Sequence, residues 1–99
     1  MKSDRIYEEA EIRARLQQEL PGWLYEGGYI QRVYVTADWN AAVALVNRIS
    51  PLAEAAWHHP DIEFRFGRVL VRLMTHSAGG ITEKDFDLAN NIELLLAGR

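Results

Sequence analysis

Three histidines, His58, His59 and His76, are the whole imidazole supply of this 99-residue chain, and all fall between Glu54 and Asp85. Histidine, with an ordinary pKa of about 6.5, both gives and takes protons near neutral pH. Three of them bracketed by two carboxylates point to acid–base chemistry. A structural alternative stands beside this: His58-His59-Pro60 is also a plausible turn. From the residues alone Asp85 also reads as the cap of the following helix, and Glu54 as a solvated helix residue. There is no cysteine, which removes thiolate nucleophiles, disulfides and cysteine zinc sites. No serine sits in a nucleophile motif. Three histidines and a water form a known zinc arrangement, but neighbouring strand residues point to opposite faces. His58 and His59 would converge on one ion only within a turn, so no metal is expected.

The elements that must position these residues follow from periodicity. Residues 4–19 read as a helix with Asp4 as its cap, its glutamates early and its arginines late, as the helix dipole favours. Its apolar stripe is Ile12, Leu16 and Leu20, helped by Tyr7, Ala10 and Ala14, and Pro21-Gly22 ends it. Residues 23–26 and 29–36 are β-formers joined by Gly27-Gly28, a hairpin signal. Both parities of the second run are apolar, so its inward face is not evident. Asp38 caps a second helix whose stripe is Trp39, Ala42, Val43, Val46, Ile49 and Ala53. Pro51 predicts a kink there, or a fresh turn capped by Ser50.

Ile62, Phe64 and Phe66 alternate with polar residues as a half-buried strand, with Phe66 expected in the core. A turn at Gly67-Arg68 returns the chain along residues 69–75. Val69, Val71 and Leu73 share one face of that strand; Leu70, Arg72, Met74 and His76 share the other. Thr82 and Asp85 form a variant capping box before a helix with a stripe of Leu88, Ala89, Ile92, Leu95 and Leu96. The predicted order, α-β-β-α-β-β-α, implies an α+β domain over residues 1–99: a four-stranded antiparallel sheet with helices packed on one face. The bare face, carrying Leu70, Met74 or Tyr34, is a candidate association surface. Pairing of the last two strands would bring all three imidazoles to one end of the sheet. Trp23 would reach that end only through tertiary packing.

The spacing has a wider echo. Glu54, three residues, His58-His59-Pro60, five residues, Phe66, nine residues, His76, eight residues and Asp85 resembles the signature of the pterin-4a-carbinolamine dehydratases. The likeness extends to LPGW at 20–23 and to HSAGGITEKDFDLA at 76–89, so it spans roughly residues 20 to 95. It implies dehydration of a 4a-hydroxytetrahydropterin to the quinonoid dihydropterin, which recycles the cofactor of aromatic amino acid hydroxylases. On that resemblance His58 and His76 carry the proton transfers and His59 helps to orient the pterin. Glu54 and Asp85 match its carboxylate positions, where they either orient imidazoles or hydrogen-bond the amino-pyrimidine edge of the pterin, and Trp23 is a supporting residue. Thr75 and Ser77 flank His76 and either contact a flat ligand or are ordinary strand-end polarity. Trp57 departs from the family, which typically carries Asp or Asn before the histidine pair. Its indole would stack on the pterin, fill the pocket, or continue the stripe of the second helix.

The resemblance implies no cofactor, and it implies a homodimer or homotetramer. A second class of function belongs to the same family: non-catalytic members act as dimerisation cofactors, and dehydratase-like relatives assist RuBisCO assembly. That reading implies a protein partner. Composition adds exclusions. The formal net charge of −3 argues against nucleic acid, whose phosphates want a basic patch. No apolar run is long enough to span a membrane, and the N-terminus is charged. The expectation is a soluble, cytoplasmic protein.

Overall fold

The fold is described from a computed structural model over residues 5–97. Its elements are α1 (Glu9–Glu19), β1 (Leu24–Glu26), β2 (Tyr29–Val35), α2 (Trp39–Ala56), β3 (Asp61–Arg65), β4 (Arg68–Leu73) and α3 (Glu83–Ala97). The α-β-β-α-β-β-α order and the α+β class are those predicted. All strand pairs are antiparallel, and the sheet runs β1-β2-β4-β3.

Register decides which side chains meet the helices. Ile30 lies opposite Leu73, Tyr34 opposite Val69, and Ile62 opposite Val71. Ile30, Val69, Val71 and Leu73 are fully buried in one core with Ile12 and Leu16 of α1, Ile49 of α2, and Phe86 and Ile92 of α3. Removing that apolar area from water, at roughly 25 cal/mol per Å2, is the main attraction between sheet and helices. Tyr34 therefore belongs to the helix side, not to the bare face. Val33 and Val35 take the outer positions and are exposed.

Two turns set the strand ends. Gly27 and Gly28 both have positive φ, 61° and 87°, as the two-residue hairpin between paired Glu26 and Tyr29 requires. The second hairpin turns at Phe66-Gly67, one residue earlier than predicted, because Arg65 pairs with Arg68. Gly67 takes the left-handed position at φ 83°. Phe66 consequently stands in the turn and is 71% exposed, so the expectation that it is core does not hold.

The helices differ from expectation in their ends more than in their faces. α1 begins at Glu9, with the Glu8 N–H donating to Glu11 Oε1 at 3.0 Å; Asp4 lies outside the described residues. Ile12, Leu16 and Leu20 are buried, while Ala10 and Ala14 face solvent. Asp38 caps α2 as predicted, its side chain accepting from the Ala41 N–H at 2.8 Å. α2 runs through Pro51 without a fresh cap at Ser50. Pro51 and Asn47, the residue whose carbonyl an N–H at position 51 would have met, are both exposed, a setting in which the missing bond costs less than in the core. Leu45 is buried in this helix, whereas Trp39 is half exposed and packs on Phe64 with ring centroids 5.0 Å apart.

Candidate active site

The chain leaves α2 through Trp57, whose backbone is left-handed at φ 48°, ψ 47°. The Trp57 N–H donates to the Glu54 carbonyl at 3.2 Å and the His58 N–H to the Ala53 carbonyl at 3.1 Å. Such a helix-ending turn usually places glycine or asparagine at the left-handed residue. Beyond the turn, successive imidazoles diverge. His58 is nearly buried, and its Nε2 lies 2.6 Å from Asp85 Oδ1. His59 is exposed, and its Nε2 lies 2.5 Å from Glu54 Oε2. The two neighbours engage different carboxylates.

Asp85, in the first turn of α3, has no solvent exposure. Its Oδ2 accepts from the Thr75 hydroxyl at 2.8 Å and from the Thr82 N–H at 2.9 Å. Thr82 Oγ1 in turn accepts from the Lys84 N–H at 3.2 Å. Half of the predicted capping box is present: Asp85 reaches back to the Thr82 N–H, while Thr82 Oγ1 takes the Lys84 N–H in place of that of Asp85, and the same carboxylate holds an imidazole. A buried carboxylate without such donors would be strongly destabilising. One residue earlier, Glu83 receives both terminal nitrogens of Arg15, at 2.8 and 2.7 Å, and the Tyr7 hydroxyl at 2.7 Å. Chiefly through the Arg15 hydrogen bonds, the Glu83 carboxyl is pulled down to about 2. This clamp fixes α1 against the helix start that carries Asp85.

A cleft of about 390 Å3 gathers His58, His59 and His76 with Trp57, Thr75 and Ser77. The antiparallel pairing of β3 with β4 brings the start of one strand beside the end of the other, as the sequence predicts. His76 is exposed just beyond β4, its ring edge-on to Tyr29 at 6.4 Å. Ser77 is exposed beside it. Thr75 borders the cleft, but it is 99% buried and its hydroxyl is committed to Asp85. Glu54 is not a wall of the cleft and meets it only through His59. Trp23 is elsewhere: it is buried in the core, and its Nε1 donates to Glu93 Oε2 at 3.1 Å.

Trp57 stands on the rim, 77% exposed and edge-on to His59 at 5.0 Å. It neither continues the buried stripe of α2 nor enters the core. Met74 and Lys84 complete the lining and are additions to the predicted set. Met74 was recoverable from its place two residues before His76 on one strand face; Lys84 carries no comparable signal. Thr82 was legible as a cap, but not as a neighbour of Thr75, whose hydroxyl lies 2.8 Å from its own. Among the described residues, no group of three or more histidine, aspartate or glutamate side chains is arranged to hold a metal ion.

Comparison with known proteins gives the family. The family model described as pterin 4 alpha carbinolamine dehydratase matches residues 5–95. A protein of Aquifex aeolicus, provisionally named a pterin-4-alpha-carbinolamine dehydratase, is 46% identical over 93% of this chain and 92% of its own length. One from Acidobacterium capsulatum with the same provisional name is 52% identical over 86% of this chain and 91% of its own. Among solved structures, a transcriptional coactivator/pterin dehydratase from Brucella melitensis superposes with a TM-score of 0.82 at 28% identity, covering 92% of this chain and 98% of that one. A pterin dehydratase-like RuBisCO assembly factor of the alpha-carboxysome shares the fold, with a TM-score of 0.59 at 16% identity over 74% of this chain and 84% of its own. A match over nearly the whole chain, together with relatives near half identity, fixes the lineage: the chain belongs to the pterin 4 alpha carbinolamine dehydratase family.

Proposed function

We propose that this chain dehydrates a 4a-hydroxytetrahydropterin to the quinonoid dihydropterin in the cytoplasm, recycling the cofactor of aromatic amino acid hydroxylases. In this reaction the C4a–O bond breaks and the departing hydroxyl takes up a proton to leave as water. A ring nitrogen gives up its proton as the C4a–N double bond forms, and no electrons are gained or lost. The reaction needs one acid and one base of near-neutral pKa, which imidazoles supply. In this reading His58 and His76 exchange the two protons, and His59, held by Glu54, orients the pterin. The observation that carries it is the meeting of three imidazoles in one cleft, with His58 anchored on a buried carboxylate.

The test is to generate the carbinolamine with a phenylalanine hydroxylase and follow its dehydration spectroscopically. Wild-type protein is expected to accelerate it, and His58→Ala and His76→Ala each to lower the rate by roughly a hundredfold or more. Wild-type protein no faster than buffer would overturn catalysis as it stands.

A second reading, a non-catalytic dehydratase-like binding or assembly protein, is favoured by one observation: the exposed Trp57 indole on the cleft rim. Activity that appears only in Trp57→Asn would identify a competent site blocked by that indole. Inactivity in every variant would favour the binding protein and direct attention to a protein partner. In either reading we propose a homodimer or homotetramer, supported by the apolar side chains on the uncovered side of the sheet.

A further inference from the structure

Two buried hydroxyls stand behind the cleft and are not used in the proton transfers above. Thr75 and Thr82 are each 1% exposed, their oxygens 2.8 Å apart. Counting protons on this pair gives a direction. A threonine hydroxyl has one proton to donate. That of Thr75 goes to Asp85 Oδ2, so the bond between the two threonines must use the proton of Thr82. Thr82 Oγ1 is free to donate it, because what it accepts is the Lys84 N–H. The bonds thus run one way, from the Lys84 amide through Thr82 and Thr75 to Asp85. Oδ2 already receives two donors, the second being the Thr82 N–H. Donors onto a carboxylate stabilise its ionised form, and an ionised Asp85 offers Oδ1 as the acceptor for an N–H on His58 Nε2, 2.6 Å away.

We propose that Thr75 and Thr82 are positioning residues that fix the tautomer of His58, with its N–H on Nε2 toward Asp85 and a bare Nδ1 presented to the cleft. His58 lines the cleft, and Nε2 is occupied by Asp85. Arg72 Nε is the one buried side-chain polar atom without a partner among the described residues, so Nδ1 is not sealed in the core. An imidazole so held accepts a proton at Nδ1 and returns it from the same atom. Thr75 therefore acts on Asp85 and not on a ligand. This assignment rests on the cleft being the working site, but its test does not depend on turnover.

The experiment is long-range proton–nitrogen correlation NMR on nitrogen-15-labelled protein, at a pH where the imidazoles are neutral. His58, assigned by comparison with His58→Ala, is expected to show a protonated Nε2 and a bare Nδ1. Thr75→Val is expected to raise the Nδ1–H population, Thr75→Ser to restore the wild-type pattern, and Thr82→Val to give a smaller change in the direction of Thr75→Val. If the protein dehydrates pterins, Thr75→Val should also lower kcat by roughly tenfold to a hundredfold, the scale on which partners of functional imidazoles act. A wild-type His58 protonated at Nδ1 would overturn the proposal even in an active enzyme. So would a folded Thr75→Val with an unchanged tautomer. Should Thr75→Val fail to fold, the wild-type tautomer and the Thr82→Val spectrum decide the matter. An inactive protein with the expected tautomers would overturn the dehydratase reading and leave this one standing.

Discussion

Trp57 occupies a backbone conformation, φ 48°, that side chains other than glycine, asparagine and aspartate resist, because Cβ crowds the following carbonyl by roughly 1–2 kcal/mol. Its indole recovers little of that, being largely exposed and touching His59 by an edge. Trp57→Asn is therefore expected to stabilise the fold by about 0.5–1 kcal/mol, the usual gain when a residue suits its φ, which moves the thermal midpoint up by a few degrees. Trp57→Gly should also exceed Trp57→Ala, since both lose the indole and only alanine keeps the strain. Urea unfolding of the three variants checks this; an alanine variant as stable as the glycine variant would show the turn to be unstrained. The residues proposed for the site were legible because their spacing is sequential: Glu54, the histidine pair, His76 and Asp85. What spacing cannot show is which way a side chain turns. Thr75 and Ser77 flank His76 symmetrically in sequence, yet one is sealed against Asp85 and the other opens to the cleft.

At the level of elements, the start of α3 is held by a charge contact that strand and helix periodicity did not signal. Arg15 on α1 and Tyr7 before it converge on Glu83, and the folded state lowers the Glu83 carboxyl from 4.5 to about 2. The charged form is thus favoured by folding. Its contribution is complete above about 4.5 and is lost as pH falls through the window down to about 2. Glu83→Gln is expected to be less stable than wild type at pH 7, with the difference closing across that acid window and shrinking in molar salt, because the carboxylate is 42% exposed. Acid unfolding followed by circular dichroism reads both effects; parallel curves for the two proteins would remove the clamp from the stability of α3. The helices and hairpins themselves were readable, since apolar stripes and paired glycines are local signals. The misplaced turn at Phe66-Gly67 shows the limit. Both Gly67-Arg68 and Phe66-Gly67 fit the local pattern, and only the pairing of Arg65 with Arg68 selects the second.

For the whole molecule, the sheet is the unfinished part. One face packs on three helices, while the other exposes Leu24, Val33 and Val35, the last at 87%. Among the described residues β3 closes one edge with no neighbour beyond it, and its residues are largely exposed. Uncovered edges and apolar sheet faces are features that proteins ordinarily protect by charge, by cover or by association. The outer face could not be chosen from sequence, because residues 29–35 are apolar in both parities, and only pairing with β4 turns Tyr34 inward and Val33 and Val35 outward. Light scattering is expected to find wild-type protein as a homodimer or homotetramer at micromolar concentration, and the double substitution Val33→Lys, Val35→Lys to shift it toward smaller species. A strictly monomeric wild type would overturn the expectation. The histidine cleft is lined by the connections that leave α2 and β4 and by Lys84 at the start of α3, and the substituted valines are not among its walls. The dissociated variant should therefore keep the His58 tautomer. Loss of that signature on dissociation would instead mean that a second copy holds the cleft in shape, making association part of the site.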